Sequence, residues 1–316
     1  MSAHIASNVV KKLSRLMPRS LKNYYRRMTR PAILKRLRYS GEALPRLSPV
    51  NISADVTEFS GSDDEIKQQI QQAQSKIFAD LSPDHRVMIK INLNSAKPYP
   101  ASTDPAFLCW LVDLLIERGV AKIVVADCSS VLDLPTKRVM NQTGIKALLE
   151  NRASFIYFDQ DEWLRVPIAG AFLKELIVPQ SIYEVDRIIY LVNLKSHRFA
   201  DFSMSMKHAV GLMHPYQRYG LHKQNLQEKA VEISLAVQPD LIIMDARRPF
   251  MTGGPNEGEV YPAQRVFIGN DLLSMDLAGY KMLYHIRCET NTLGSFTEDP
   301  FQMRQFSHAR KMLGGK

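Results

Sequence analysis

The stretch RVMIKINLNSAKPYPASTDPAFLCWLVDLLIERGVAKIVVAD, residues 86–127, decides the fold. It begins with apolar and β-branched residues, which predict a buried strand. After a proline-containing loop, Asp104 is placed to cap a helix with Pro105 at its first position and Gly119 at its end. KIVVADCSS, residues 122–130, then predicts a second strand. A strand, a helix and a strand of this length form a βαβ unit, whose strands run parallel.

Further strand and helix signals alternate along the rest of the chain. DRIIYLVNL (186–194) and PDLIIMDA (239–246) are typical of buried strands, and a helix is predicted across Leu226–Ala236 between them. Residues 265–283 predict a short strand followed by a helix. The predicted class is α/β, with one or more largely parallel sheets and flanking helices. Asp276 falls within the apolar pattern of this last helix and is expected to be exposed.

Length and composition limit the class of protein. The 316 residues are 45% hydrophobic, which allows one large domain or two lobes divided near residues 150–185. No apolar run approaches the roughly 20 residues that span a bilayer, and no secretory signal is visible. The three cysteines are far apart, which is typical of reduced thiols and predicts a cytoplasmic protein. No CxxC occurs, which argues against an iron–sulfur cluster.

The positive charge is concentrated at the N-terminus. Residues 1–46 hold twelve of the 41 lysines and arginines and one acid, Glu42, so the remaining chain has 29 basic and 31 acidic residues. Apolar residues recur at helical spacing within this arm, which predicts a basic amphipathic helix. The arm could dock on the chain's own α/β body, residues 47–316, or attach peripherally to an anionic membrane surface. Nucleic acid is a weaker alternative, because the body adds no basic excess.

Chemically active residues follow the ends of the predicted strands. Ligands in α/β folds bind beyond the carboxyl ends of parallel strands, so these residues are expected to form one ligand-binding site. They are Lys90 and Asn92 after the first strand, Asp127 and Ser129 after the second, Lys195 and His197 after the third, and Asp245, Gly253 and Gly254 after the fourth.

The stretch VNLKSHRFADFSMSMKHAVGL, residues 192–212, carries the densest set of titratable groups. Lys195 and Lys207 repel each other, and burial would raise that cost. Either they extend into water or an anionic ligand holds them together, with hydroxyls such as that of Ser205 adding hydrogen bonds. His197 titrates near neutral pH, so it and Lys207 are the candidate catalytic residues. His208 is expected to point away from Lys207.

The order of these motifs resembles the family catalogued as domain of unknown function 362. IKINLNS, STDP, the 192–212 stretch, PDLIIMDA, GGPNEGE and GNDLLSMDLAG carry the resemblance, which covers roughly residues 86–284. Many members of that family also carry a cysteine-rich ferredoxin-type segment. This sequence has no such segment, so the resemblance implies the fold of the family without its iron–sulfur cluster.

The spacing of His197 and Lys207, with His222 downstream, is also similar to the lactate racemase family. That resemblance implies a proton-transfer base at His197, a lysine tether for a nickel pincer nucleotide at Lys207, and a metal ligand at His222. The sequence departs from the racemases at ADCSS, where they carry a further histidine. The departure argues against the pincer cofactor and leaves a divalent metal open, with His222 and Asp245 as candidate ligands.

We therefore expect an enzyme-like protein that acts on a small anionic molecule bearing a carboxylate or a phosphate. Proton transfer through the lysine and histidine loop is the favoured chemistry. The alternative is a non-catalytic module that binds an anionic or nucleotide-like ligand and is attached to a membrane by its basic arm.

Overall fold

A computed structural model describes residues 39–129, 135–221 and 223–313. Most of the predicted arm and the predicted ligand His222 lie outside the described residues. Contacts group the described part of the chain into one compact unit that begins at Tyr39. None of its helices is both long enough and apolar enough to cross a bilayer.

The described residues form eleven strands and nine α-helices. The strands are β1 (Gly41–Glu42), β2 (Thr57–Ser60), β3 (Arg86–Lys90), β4 (Lys122–Asp127), β5 (Ser154–Tyr157), β6 (Trp163–Pro167), β7 (Glu175–Pro179), β8 (Arg187–His197), β9 (Asp201–Ser203), β10 (Leu241–Phe250) and β11 (Arg265–Gly269). The helices are α1 (Asp63–Ile77), α2 (Pro105–Glu117), α3 (Thr136–Gln142), α4 (Ile145–Leu148), α5 (Ser205–His208), α6 (Pro215–Leu221), α7 (Leu226–Glu232), α8 (Leu272–Glu289) and α9 (Arg304–Met312).

The main sheet confirms the α/β class. Its strands lie in the order β2-β11-β10-β8-β3-β4-β5, and β9 pairs with the end of β8. The central run from β10 through β5 is parallel, as the βαβ pattern of β3, α2 and β4 predicts. Strand β11 returns antiparallel to β10, because no helix in residues 251–264 carries the chain back across the sheet.

Local sequence signals explain where the elements begin and end. The Asp104 carboxylate accepts a hydrogen bond from the Ala106 N–H, and Pro105 occupies the first turn of α2. Gly119 follows that helix with φ of 89°, a left-handed conformation that glycine adopts without strain. The sequence thus fixes both ends of the crossover helix that makes β3 and β4 parallel.

Both faces of the main sheet are buried, which explains the nearly continuous apolar run of β8. Ile189 and Leu191 point to the face covered by α1 and α2. Tyr190 and Val192 point to the opposite face, where the core also includes residues of α8 and α9. Burial on both faces is usual for parallel sheets.

A second, three-stranded sheet has the order β1-β6-β7. Residues 150–185, where the sequence suggested a division into lobes, include β5 of the main sheet and then β6 and β7 of this smaller one. Trp163 and Val178 of the small sheet join the core beneath the main sheet. The division into lobes stays a prediction.

Candidate functional site

The carboxyl ends of β3, β4, β8 and β10 lie along one edge of the main sheet because these strands are parallel. Lys90 lies opposite Tyr190 in the pairing of β3 with β8. Side chains alternate along a strand, so Lys195, five residues beyond Tyr190, leaves from the other face of the sheet. Both lysines nevertheless reach the same edge and lie close enough for their charges to interact.

The loop after β3 is held against β8. The Asn193 side-chain amide donates to the carbonyl oxygen of Ser102 at 3.2 Å. Within the loop, the N–H of Asn92 donates to the Thr103 hydroxyl at 2.8 Å, and the carbonyl of Asn92 accepts from the Thr103 N–H at 2.8 Å. The predicted ligand residue Asn92 thus uses its backbone to fold the loop over the edge of the sheet.

Lys90 and Asp127 form a buried ion pair at this edge. The Lys90 Nζ lies 2.9 Å from the Asp127 Oδ1, and the Asp127 Oδ2 accepts from the Leu93 N–H at 2.6 Å. Burial lowers the pKa of Lys90, and Asp127 partly opposes that change. A Cβ at position 211 would overlap both charged groups, so Gly211 allows the backbone to pass directly above the pair.

Lys195 and Lys207 complete a group that we call the lysine cluster (Lys90, Lys195 and Lys207). Lys195 is fully buried, and its Nζ donates to the carbonyl oxygen of Ala101 at 2.6 Å. Burial and then repulsion from Lys207 lower the pKa of Lys195 to about 7. Lys207 is partly exposed on α5, and burial lowers its pKa to about 8. Within the described part of the chain, the Lys207 ammonium makes no hydrogen bond or ion pair.

His208, next to Lys207 in the chain, is buried against the strands of the main sheet. Its Nε2 lies 2.9 Å from the carbonyl oxygen of Lys90, and its ring packs edge-on against Tyr190. A carbonyl oxygen only accepts, so Nε2 donates. Burial and then the charge of Lys90 lower the pKa of His208 well below its ordinary value. His208 is therefore a neutral residue that positions Lys90.

Asp276 is buried, and the expectation that it would be exposed is wrong. Its carboxylate accepts hydrogen bonds from the Ser205 N–H at 2.6 Å and the Met206 N–H at 3.2 Å. The Gln305 side chain lies 3.3 Å from the same carboxylate. Burial raises the pKa of Asp276 to about 7, and the hydrogen bonds oppose that rise. The predicted ligand residue Ser205 thus contributes its N–H to an anchor for the helix that carries Lys207.

Arg218 anchors the loop after β4. Its guanidinium donates to the carbonyl oxygens of Cys128, Ser129 and Met213 at 3.0 to 3.2 Å. The Ser129 hydroxyl is buried and has no hydrogen-bond partner among the described residues. Sequence reasoning missed Arg218 because nothing in its position on a short helix distinguishes it from a solvated arginine.

His197 lies at the end of β8 and is buried. Its Nδ1 accepts hydrogen bonds from the Phe199 and Ala200 N–H groups at 3.1 and 3.2 Å. In neutral His197 the ring proton therefore resides on Nε2, which can donate. Gly253 and Gly254 have positive φ angles, and a Cβ on Gly254 would overlap the Ser196 carbonyl oxygen. Both glycines let their loop approach the strand that carries His197.

Asp245 belongs to a separate set of charges, which we call the arginine cluster (Arg247 with Asp63, Asp104 and Asp245). The Arg247 guanidinium lies 2.8 to 2.9 Å from a carboxylate oxygen of each aspartate. Although burial opposes it, hydrogen bonding with Asp245 raises the pKa of Arg247. Asp245 also accepts from the Tyr99 hydroxyl at 2.9 Å. The structure therefore places Asp245 with Arg247 and not with the lysine cluster.

The surroundings of Asp127 and Asp245 do not suit a divalent cation. Asp127 and Asp245 are each paired with a buried cation, Lys90 and Arg247 respectively. In the described ranges, no group of three or more histidine, cysteine or acidic side chains is arranged to hold a metal. The metal and pincer predictions stay predictions, since His222 lies outside those ranges.

Comparisons with known proteins bear on the family. Among solved structures, the lactate racemase apoprotein from Thermoanaerobacterium thermosaccharolyticum is similar at 13% identity and a TM-score of 0.38, over 77% of this chain. The chain spans 56% of the length of that protein. The search of curated proteins found no match. A family model described as "Domain of unknown function (DUF362)" matches residues 87–281. Because that match covers more than half of the sequence, the chain belongs to the DUF362 family.

Proposed function

We propose that the carboxyl edge of the main sheet binds a small carboxylate- or phosphate-bearing molecule between Lys195 and Lys207, and that Lys207 transfers a proton to or from it. One observation carries the proposal. Lys195 and Lys207 lie close enough to repel each other, and in the described chain neither is paired with a carboxylate. Buried charges are ordinarily paired, so an anionic ligand would turn this repulsion into attraction.

The lowered pKa values support a role in proton transfer. A general base works best when its pKa is near the operating pH, and Lys207 has a pKa of about 8. Lys207 is also partly exposed, so a ligand can reach it. Lys195 is buried nearby and would hold the anionic group of the ligand. The amine of Lys207 would take a proton from a carbon beside the carboxylate or carbonyl and return it as an ammonium.

His197 fits the role of donor better than that of base. Its Nδ1 lone pair is occupied by two backbone N–H groups, so a proton on that nitrogen would break both hydrogen bonds. The Nε2–H can donate a hydrogen bond to an oxygen on which negative charge develops. Asp276, His208 and Arg218 would act through other residues, by positioning α5, Lys90 and the loop after β4.

Oxalate binding and deuterium exchange test the proposal. Calorimetry with oxalate should show binding to the full chain, and Lys207→Met should weaken it about tenfold or more, as loss of a charge-assisted hydrogen bond predicts. Lys122→Met is the matched control, because Lys122 is exposed at the opposite edge of the sheet. In D₂O, exchange of the methyl protons of pyruvate should be accelerated by the chain and lost in Lys207→Met.

Three outcomes separate the alternatives. Oxalate binding without exchange on any small carboxylate would favour a non-catalytic anion-binding module. No oxalate binding, or equal binding by Lys207→Met, would remove the lysine cluster from the proposed site. Exchange that persists in Lys207→Met but fails in His197→Gln would return the role of base to His197.

A further inference from the structure

A separate cavity lies at the opposite edge of the main sheet, where β2, β8 and β10 begin. Its volume is about 250 Å³. Ile189, Leu241 and Ile268 of the sheet form an apolar floor, and Phe78 and Leu81 from the segment after α1 complete it. No residue of the lysine cluster lines this space, so it is distinct from the proposed active site.

The wall of the cavity is built by the segment that precedes β2. The Asn270 side chain accepts a hydrogen bond from the Ser53 N–H at 2.9 Å and donates to the carbonyl oxygen of Asn51 at 2.8 Å. A Cβ at position 269 would come within 2.9 Å of the Asp55 carbonyl oxygen, so Gly269 allows the segment to approach β11. The wall is therefore fastened to the sheet by specific contacts.

Two cations line the cavity, the exposed Lys76 and the half-buried Arg187, and the hydrogen bonding of Arg187 is incomplete. The Nη1 of Arg187 donates to the carbonyl oxygen of Asp186 at 3.0 Å. Its Nε is shielded from solvent and has no hydrogen-bond partner among the described residues. No carboxylate in that part of the chain forms an ion pair with its guanidinium. The side chain as a whole is half-buried, and a half-buried guanidinium without an ionic partner favours the binding of an anion.

The acidic residues that line the cavity do not serve as the anionic partner of Arg187. Asp240 lines it too, but its carboxylate already accepts from Arg46 at 3.1 Å and from the Ile188 N–H at 2.6 Å. Asp55 and Asp80 lie at the rim with exposed side chains, where water screens their charges. The unmatched charge close to the apolar floor is therefore positive.

We propose that this cavity is a second binding site, for a small molecule with an apolar body and a single carboxylate that Arg187 binds. Ligand pockets commonly measure about 300–1,000 Å³. A cavity of about 250 Å³ therefore suits a ligand smaller than a typical drug. The apolar body would lie on Ile189, Leu241 and Ile268, and the carboxylate would pair with the Arg187 guanidinium, which no carboxylate of the described chain neutralises.

Titration with hexanoate tests the site. The full chain carrying Lys207→Met is used, so that the lysine cluster does not contribute to anion binding. Methyl signals of Ile189, Leu241 and Ile268 should shift and saturate in carbon-13 NMR spectra, while hexanamide, which lacks the charge, should have little effect. Arg187→Gln should weaken hexanoate binding about tenfold or more. Arg86→Gln is the matched control, because Arg86 lies at the same edge in an exposed 3.9 Å contact with Glu184.

A second variant keeps the test decisive if Arg187→Gln is poorly folded. Ile268→Phe should fill the cavity and abolish the hexanoate-induced shifts of Ile189 and Leu241, with folding checked by a thermal melt. Equal binding of hexanamide and hexanoate would overturn the proposal, and so would unchanged affinity in a folded Arg187→Gln. Absence of any saturable methyl shift in the starting chain would overturn it as well.

Discussion

The lysine cluster and the arginine cluster are two buried groups of charge near the carboxyl edge of one sheet, and they are built in opposite ways. Arg247 is matched by three carboxylates and lies 4.5 Å from the Phe107 ring centroid. In the lysine cluster only Lys90 has a carboxylate partner in the described chain. The arginine cluster has the features of an internal support, whereas the lysine cluster holds positive charge that the protein itself leaves unmatched.

The same difference appears in how the two clusters connect the fold. Arg247 joins β10 to Asp63 at the start of α1 and to Asp104 at the start of α2. The carboxylates of Asp63 and Asp104 therefore also lie at helix N-termini, where negative charge is favourable. Lys207, by contrast, makes no hydrogen bond or ion pair to another described element, so its removal should leave the fold intact.

Arg247→Met should produce the largest effect, because it leaves the carboxylates of Asp104 and the buried Asp245 without a cation, while Asp63 retains Arg248 at 3.5 Å. We expect a loss of about 3–5 kcal/mol in the free energy of unfolding, the usual result of breaking a buried ion pair. Urea denaturation measures it. Arg265→Met is the control, since Arg265 forms a 2.6 Å ion pair with Glu58 that is exposed on both sides, and should cost no more than about 1 kcal/mol. Equal losses would show that the arginine cluster is not an internal support.

Lys195→Met should instead raise the free energy of unfolding. Folding lowers the pKa of Lys195 from 10.5 to about 7, so between these values the unfolded chain binds more protons than the folded one. Its destabilising effect is therefore full below about pH 7 and fades as the pH rises towards 10.5. Relative to the wild-type protein, the free energy of unfolding of the variant should be higher by on the order of a few kcal/mol at pH 6 and by less at pH 9. Urea melts at both pH values, with Lys122→Met as control, check this, and a loss at both would contradict it.

Asp276→Ala should loosen α5, the helix that carries Lys207 of the lysine cluster. The change leaves the buried N–H groups of Ser205 and Met206 unpaired, which costs about 1–3 kcal/mol. Hydrogen exchange at these two amides should accelerate more than the global loss of stability explains. Asp64→Ala is the control, since that side chain is almost fully exposed. Unchanged exchange would mean that Asp276 does not hold α5.

Lys207→Met should cost no stability, because the ammonium makes no hydrogen bond or ion pair in the described chain that the fold would lose. Folding lowers the pKa of Lys207 only to about 8, against about 7 for Lys195, so the stability gained at neutral pH should be smaller than that of Lys195→Met. A thermal melt beside the wild-type protein measures it. A loss as large as that of Arg247→Met would mean that Lys207 is structural.

The sequence predicts the fold further than it predicts the site. Periodicity and helix caps were sufficient for β3, α2 and β4, because parallel pairing follows from a short crossover. The direction of β11 was not predictable from its own residues, since it depends on how the preceding loop returns. The expectation for Asp276 was wrong because a lone acid in an apolar helix pattern has the same local sequence whether it faces water or caps a distant helix.

The sequence did not predict which charged side chains of the site pair with one another. Asp245 follows a strand end just as Asp127 does, yet one contacts Arg247 and the other Lys90. Strand order and the alternation of faces decide this, and both depend on contacts between residues far apart in the chain. A glycine at position 211 and an acid within an apolar helix at position 276 were the available signals for the groups that position Lys90 and Lys207.

The side-chain pKa of Lys195, measured by NMR of the lysine side chains, tests the central claim most directly. Resonances are assigned by comparison with Lys195→Met, and the titration is run with and without oxalate. We predict a midpoint near 7 in the free protein and a higher midpoint with oxalate, because a bound anion favours the ammonium. A midpoint near that of exposed lysines, at about 10.4, or one that oxalate does not move, would contradict the assignment of the lysine cluster as an anion-binding site.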